Sequence, residues 1–132
     1  MKRNILGVIG LLFTCASVGI NTSAHAAASS YQKSCSDISI TGNELSATCK
    51  TRNGASRQTS IVLRGIENIN GNLKVTNPNK VSSFQNSCSN IDINGRRIKA
   101  TCQTKNGRSK QTSIVLNGIE NIDGFLKYTS SP

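Results

Sequence analysis

Gln58-Thr59-Ser60-Ile61-Val62-Leu63 recurs without change 53 residues later as Gln111-Thr112-Ser113-Ile114-Val115-Leu116. Working outward from this hexapeptide, the same offset aligns Tyr31–Val75 with Phe84–Tyr128 without a gap, and 28 of the 45 aligned positions are identical. Cys35 falls on Cys88, Cys49 on Cys102, Asn53-Gly54 on Asn106-Gly107, and Gly65–Ile69 on Gly118–Ile122. The chain is therefore a tandem duplication, with copies at 31–75 and 84–128 separated by Thr76–Ser83, a polar stretch around Pro78 that reads as a linker.

Within each copy the signals are those of β structure. Ile38 and Ile40, Leu45 and Ala47, and Ile61 and Leu63 alternate with polar neighbours, the period of a half-buried strand. Gly42-Asn43, Asn53-Gly54 and Asn70-Gly71 are tight-turn dipeptides, matched by Gly95-Arg96, Asn106-Gly107 and Asp123-Gly124. Each copy reads as a three-stranded meander followed by a short hairpin, about ten strands in all. A copy of this length is close to the lower limit for independent folding, so the halves are expected to pack closely or exchange elements.

The cysteines test this register. Gly42 lies midway between Cys35 and Cys49, and Gly95 midway between Cys88 and Cys102. A hairpin folded at each glycine sets its cysteines nearly opposite, so bridges Cys35–Cys49 and Cys88–Cys102 are predicted. A two-residue turn at 42–43 pairs Ile40 with Leu45 but leaves Cys35 one residue out, and a β-bulge near Ser36-Asp37 corrects the slip. A zinc site from the four cysteines lacks any C-x-x-C pair.

Residues 1–26 read as a cleavable export signal: Lys2 and Arg3, an uncharged, mostly apolar stretch from Ile5 to Ile20, then Ala24-His25-Ala26 as the cleavage pattern. Cutting after Ala26 is the first choice and after Ala28 the second; the product is expected to be secreted or periplasmic. Of the 132 residues, 27–132 then form one domain, four cysteines remain, and the net charge falls from +10 to +8 with Lys2 and Arg3. Losing His25, the only histidine, removes Ser-His-Asp and Cys-His catalysis. No phosphate-binding glycine loop or metal-ligand spacing is present. Glu67 and Glu120 are repeat-related and belong to two copies of a place rather than to one catalytic pair. The reading is a protein that is not an enzyme, with no cofactor and no metal. The positive charge suits an anionic polysaccharide, nucleic acid or cell surface, but the basic residues are scattered and only four aromatics remain after residue 26, so stacking platforms for nucleic acid are scarce. Asn, Ser, Thr and Gln beside tight turns are donors and acceptors on rigid supports, suited to sugar hydroxyls.

The paired cysteines, Thr51-Arg52-Asn53-Gly54, Ile66–Lys74 and Ile119–Tyr128, in this tandem order, resemble the cyanovirin-N homology family of lectins. The resemblance covers about Ser29 to Tyr128. It implies an all-β fold with two pseudo-symmetric halves, each completed by strands from the other repeat, and metal-free binding of oligomannose ends, typically α1,2-linked mannose. By position, one pocket is expected from Ser30, Lys33, Ser34, Lys50, Thr51 and Arg52, closed by Asn121, Ile122, Asp123 and Gly124. The other is expected from Glu67, Asn68, Asn70 and Gly71 with Asn86, Ser87, Gln103, Thr104 and Lys105. Lys50, Asn70 and Asn86 stand where the family's best-known member has acidic residues, and Lys105 where it has an arginine, a side chain whose bidentate fork lysine lacks. The first pocket keeps Asn121-Ile122-Asp123-Gly124 intact. The expected partners are oligomannose glycans or glycoproteins, with no nucleic acid and no membrane insertion after cleavage. The chain is expected as a monomer or a domain-swapped dimer.

Overall fold

The computed structural model describes residues 26–132; the export-signal reading of the first 26 residues lies almost wholly outside them. Ten strands follow one another with no α-helix among the described residues. They are β1 (Cys35–Thr41), β2 (Glu44–Lys50), β3 (Ser56–Val62), β4 (Ile66–Ile69) and β5 (Asn72–Val75) in the first repeat. The second repeat supplies β6 (Cys88–Asn94), β7 (Arg97–Gln103), β8 (Ser109–Val115), β9 (Ile119–Ile122) and β10 (Phe125–Tyr128). A single 3-10 turn precedes each set, at Tyr31–Lys33 and Phe84–Asn86. The strands form two antiparallel sheets, β1-β2-β3 and β6-β7-β8, and two hairpins, β4-β5 and β9-β10. This is the meander-plus-hairpin plan the sequence predicts.

Cys35 pairs with Cys49 and Cys88 with Cys102 in the strand register, and both disulfides are formed. The register shifts between Ser36 and Ser39, and again between Ser89 and Asp92. Asp37 and Asn90 sit at these bulges with φ of 51° and 52°, a left-handed conformation that Asp and Asn tolerate better than other side chains. Gly42 and Gly95 open two-residue turns with φ near +60°, the glycine-first arrangement of a type II′ hairpin. Asn70-Gly71 and Asp123-Gly124 have positive φ at both positions, as type I′ requires. Asn53-Gly54 also lies in a tight turn, within the longer loop between Lys50 and Ser56: Gly54, with φ of 89°, donates its N–H to Thr51 O at 3.0 Å. Thr51 Oγ1 organises that loop by accepting from Ala55 N–H at 3.1 Å.

The exchange of elements is present. Hairpin β9-β10 lies against β3 of the first repeat, and β4-β5 against β8 of the second, while the two sheets meet through β1 and β6. One core results. Leu45, Ala47 and Cys49 of β2 and Ile98, Ala100 and Cys102 of β7 are buried with Tyr31, Leu63, Ile66, Leu73, Phe84, Leu116, Ile119 and Leu126. Tyr31, from the first repeat, donates its hydroxyl to the carbonyl of Gly95 in the second repeat's turn, and burial raises its pKa against the opposing effect of Arg96.

The pseudo-symmetry also extends upstream of the aligned copies. Gly118 N–H donates to Ala27 O and Gly65 N–H to Lys80 O, both at 2.7 Å. Ser29 Oγ accepts from Ile119 N–H at 3.0 Å, and Ser82 Oγ from Ile66 N–H at 2.9 Å. Both serines are buried. Of the stretch 76–83, Val81 bridges to Arg64 and Ser82 belongs to the core, so the free connection is shorter than its polar composition suggests.

Candidate functional site

The exchanged hairpins create two matching seams where one repeat closes over the other. In the first, Asn121 Nδ2 donates to Ser34 Oγ and to the carbonyl of Lys50, both at 2.9 Å. Its Oδ1 accepts from Gly124 N–H at 2.7 Å, which ties the hairpin tip to its own stem. Asp123 Oδ1 accepts from Arg52 N–H at 2.9 Å. In the second seam, Asn68 Nδ2 donates to Ser87 Oγ and Gln103 O at 2.9 Å, Asn68 Oδ1 accepts from Gly71 N–H at 2.7 Å, and Asn70 Oδ1 accepts from Lys105 N–H at 2.9 Å. The two networks correspond atom for atom.

This pattern gives physical meaning to the substitutions singled out in the sequence. The clamp uses the backbone carbonyl at Lys50 and Gln103, so the side chain there is not required for it. At the tip the clamp needs one acceptor oxygen, which a carboxylate or an amide supplies equally. Asn70 therefore keeps the structural role that Asp123 has in the other half. It changes what faces outward: an amide NH2 replaces a second carboxylate oxygen.

Asn68 and Asn121 are positioning residues, because both amide hydrogens and the amide oxygen of each are engaged within the protein. The groups left to a ligand are the hydroxyl hydrogens of Ser34 and Ser87, the free atom of Asp123 or Asn70, and the side chains of Lys50, Arg52, Gln103 and Lys105. A cleft of about 390 Å³ at the second seam is lined by Asn68, Ile69, Asn70, Ser87, Gln103, Thr104 and Lys105. Glu67 lies outside this lining, opposite Lys74 in its hairpin, and Asn86 stands exposed on the preceding 3-10 turn. Gly71 is buried beneath it, where a Cβ would come within 2.9 Å of Thr104 Cγ2. At the first seam Gly124 is equally confined, with Thr51 Cγ2 at 2.9 Å from such a Cβ. Lys33 is exposed on the 3-10 turn beside Ser34, and Ser30 donates its N–H to Ile119 O at 3.1 Å. Ile122, half-buried, ends β9 just before the tip.

Four positioning residues were not anticipated from the sequence. Thr59 Oγ1 accepts from Leu126 N–H at 3.2 Å and Thr112 Oγ1 from Leu73 N–H at 3.1 Å, each satisfying a hairpin donor from the opposite repeat. Ser29 and Ser82 are the others. Their signal was the recurrence of Ser29-Ser30 as Ser82-Ser83, just upstream of the aligned copies; the threonines lie in the unchanged hexapeptide but look there like ordinary strand residues.

Solved structures share this architecture. A microvirin–mannobiose complex is 30% identical with a TM-score of 0.58, covering 74% of this chain and 95% of that one. The CVNH protein of T. borchii is 28% identical with a TM-score of 0.64, covering 75% of this chain and 98% of that one. A MoCVNH3 variant in complex with (N-GlcNAc)4 shares the fold at 18% identity and a TM-score of 0.65, covering 79% of this chain and 99% of that one. A family model described as the CVNH domain matches residues 31–127. With the duplicated sheets, the paired disulfides and the exchanged hairpins in place, this chain belongs to the CVNH family.

Proposed function

We propose that the protein is a carbohydrate-binding lectin that recognises the ends of mannose-rich glycans at the two seams, without catalysis. The observation that carries this reading is the pair of cross-repeat clamps. Each fixes a hairpin tip over a turn and brings hydroxyl, amide and backbone groups together, and at the second seam these groups line a small cleft. Such groups match adjacent sugar hydroxyls, and the rigid clamp lowers the entropy lost on binding. The mannobiose complex of a relative at 30% identity supports the sugar class. Each hydrogen bond contributes about 0.5–1.5 kcal/mol net, so one site binds modestly. Two sites on one body raise avidity for a branched glycan by roughly 10²–10⁴ where both are reached.

We also propose export with processing after Ala26. This position leaves Ala27, whose carbonyl Gly118 uses, and Ala28, which bridges Asn117; a cut after Ala28 removes both.

The test is a titration with α1,2-mannobiose followed by amide NMR at low and high salt. The expected result is saturable shifts at Ser34, Arg52 and Asp123 or at Ser87, Asn70 and Lys105, little changed by salt, with the first set weakened in Asp123→Ala. Absence of shifts at millimolar sugar would overturn the reading. Binding of a polyanion that collapses as salt rises, with none of mannobiose, would establish the cationic alternative instead.

A further inference from the structure

A further cleft borders the first seam, where its wall residue Phe125 directly follows the tip glycine, Gly124. It has a volume of about 700 Å³ and spreads over β1-β2-β3, within the size range of small-ligand sites. Along β2, Leu45, Ala47 and Cys49 are buried, so the two-residue period turns Ser46 and Thr48 to the opposite face. The register then extends rows of polar side chains across the sheet: Ser39 opposite Ser46 and Ser46 opposite Ser60, and beside them Thr48 opposite Gln58. Strand spacing sets neighbours in a row about 4.8 Å apart. Ser60 Oγ donates to Glu44 Oε2 at 3.2 Å, which fixes one end of the first row.

Phe125 forms the apolar wall of this cleft. It comes from the hairpin of the other repeat, at the β3 edge, and is 43% exposed. The Arg57 guanidinium lies over the ring, 4.2 Å from its centroid, and Lys127 Nζ lies 5.9 Å from it, so a sugar would meet the part of the ring that these cations leave uncovered. An exposed aromatic ring beside rows of neutral hydroxyl and amide groups is the chemistry that holds a pyranose. Its apolar C–H face meets the ring, and its hydroxyls meet the rows.

The second repeat supplies an internal control. The corresponding cleft, about 580 Å³, is lined by Asp92, Lys99, Thr101, Gln111 and Ser113 among others. Asp92 lies opposite Lys99, and Lys99 opposite Ser113, so opposite charges replace Ser39 and Ser46. Asn72 stands at the position of Phe125. The same backbone thus carries an aromatic-walled cleft whose lining has one charged side chain, Asp37 at the bulge, in one half, and in the other a cleft with Asn90 at that place, the Asp92 and Lys99 charges, and no ring.

We infer that the β1-β2-β3 face, with Phe125 as its wall, is a third saccharide site, for neutral hexose units of an oligosaccharide chain, and that the matching face of the second repeat is not. The inference stands on different residues from the seam reading, so either can fail alone.

The experiment is an amide-NMR titration of the 27–132 chain with α1,2-mannobiose and, separately, with chitotetraose at millimolar concentration. Wild type is compared with Phe125→Asn and with the double variant Ser39→Asp/Ser46→Lys. Both variants install residues that the other half of this protein already carries at those places. The expected result is saturable shifts at Ser46, Thr48, Gln58 and Phe125 with at least one of the two sugars. These should disappear in the double variant and weaken about 2- to 10-fold in Phe125→Asn, while seam shifts persist. Should either variant melt at a lower temperature than wild type, Gln58→Ala, an exposed position, replaces it with the same expected weakening. Shifts confined to the seams would overturn the third site and leave the proposed function standing. Shifts confined to the sheet face would do the reverse. Sheet-face shifts that survive the double variant, or that vanish with Asp123→Ala, would also overturn the inference.

Discussion

A side chain's chemistry at the hairpin tips matters less than one acceptor atom held in one place. Asp123 and Asn70 both have φ near +52° and both accept a backbone N–H from the opposite repeat. Asp123→Asn should therefore leave stability within about 0.5 kcal/mol of wild type, since Asn70 already performs that task. Asp123→Ala loses the hydrogen bond, about 0.5–1.5 kcal/mol, and places a Cβ-bearing residue with no polar side chain in a left-handed conformation, at about 1 kcal/mol more. Urea unfolding of the three proteins measures the difference; equal midpoints would remove the clamp from the account. The tyrosines make a second case at this scale. Burial raises the pKa of Tyr31 and of Tyr128, above the ordinary value of 10.0; at Tyr128 the N–H of Arg64, which donates to its hydroxyl at 3.0 Å, opposes the rise. Above pH 10 the unfolded chain loses phenolic protons that the folded chain retains, so stability falls as pH rises past that value. A spectrophotometric phenolate titration should show both groups ionising late in the native state, and thermal midpoints should drop over the same range. Tyrosines titrating normally in the folded protein would contradict the packing described.

Among the elements, the hairpins depend on contacts outside themselves. A two-stranded ribbon of four-residue strands is marginal in water, and β9-β10 is held by Asn121, by Thr59 and by the close approach of Gly124 to Thr51. Gly124→Ala, at φ +89°, meets both backbone strain and a clash, and should cost about 1–3 kcal/mol. Gly54→Ala has the same φ of +89° but nothing within 4 Å of the added carbon, so it isolates the strain. Denaturation of the pair should place Gly124→Ala well below Gly54→Ala. Similar losses would mean that the hairpin tip is not pressed on the opposite repeat. The hairpin turns and strands were legible in the sequence because their causes are local: glycine where φ is positive, alternation where one face is buried. The bulge was legible for another reason, since cysteine spacing and hydrophobic register disagree by one residue and only an inserted residue satisfies both.

Across the whole molecule, neither repeat buries its own core, because each sheet takes its cover from the other copy's hairpin. A 31–75 chain alone should give the circular dichroism of an unfolded peptide at concentrations too low for it to self-associate, whereas 27–132 unfolds in one cooperative step. Cys35→Ser/Cys49→Ser should lower stability by about 2–4 kcal/mol, in line with a closed loop of about 15 residues. Because the core is shared, that loss should weaken both halves together; calorimetry resolving two separate transitions would contradict a single cooperative body.

From the sequence alone came the duplication, the strands and their turns, the disulfide pairing and the family resemblance, since each is written in local pattern or in the repetition of a pattern. Only the tertiary structure decided that Asn68 and Asn121 spend their amide groups on the scaffold. It also decided that Ser29, Ser82, Thr59 and Thr112 close it, and that one sheet face carries an aromatic wall while its twin does not. Those facts depend on which atoms meet across the two copies. Residues in one copy carry no local mark of the partner they find in the other.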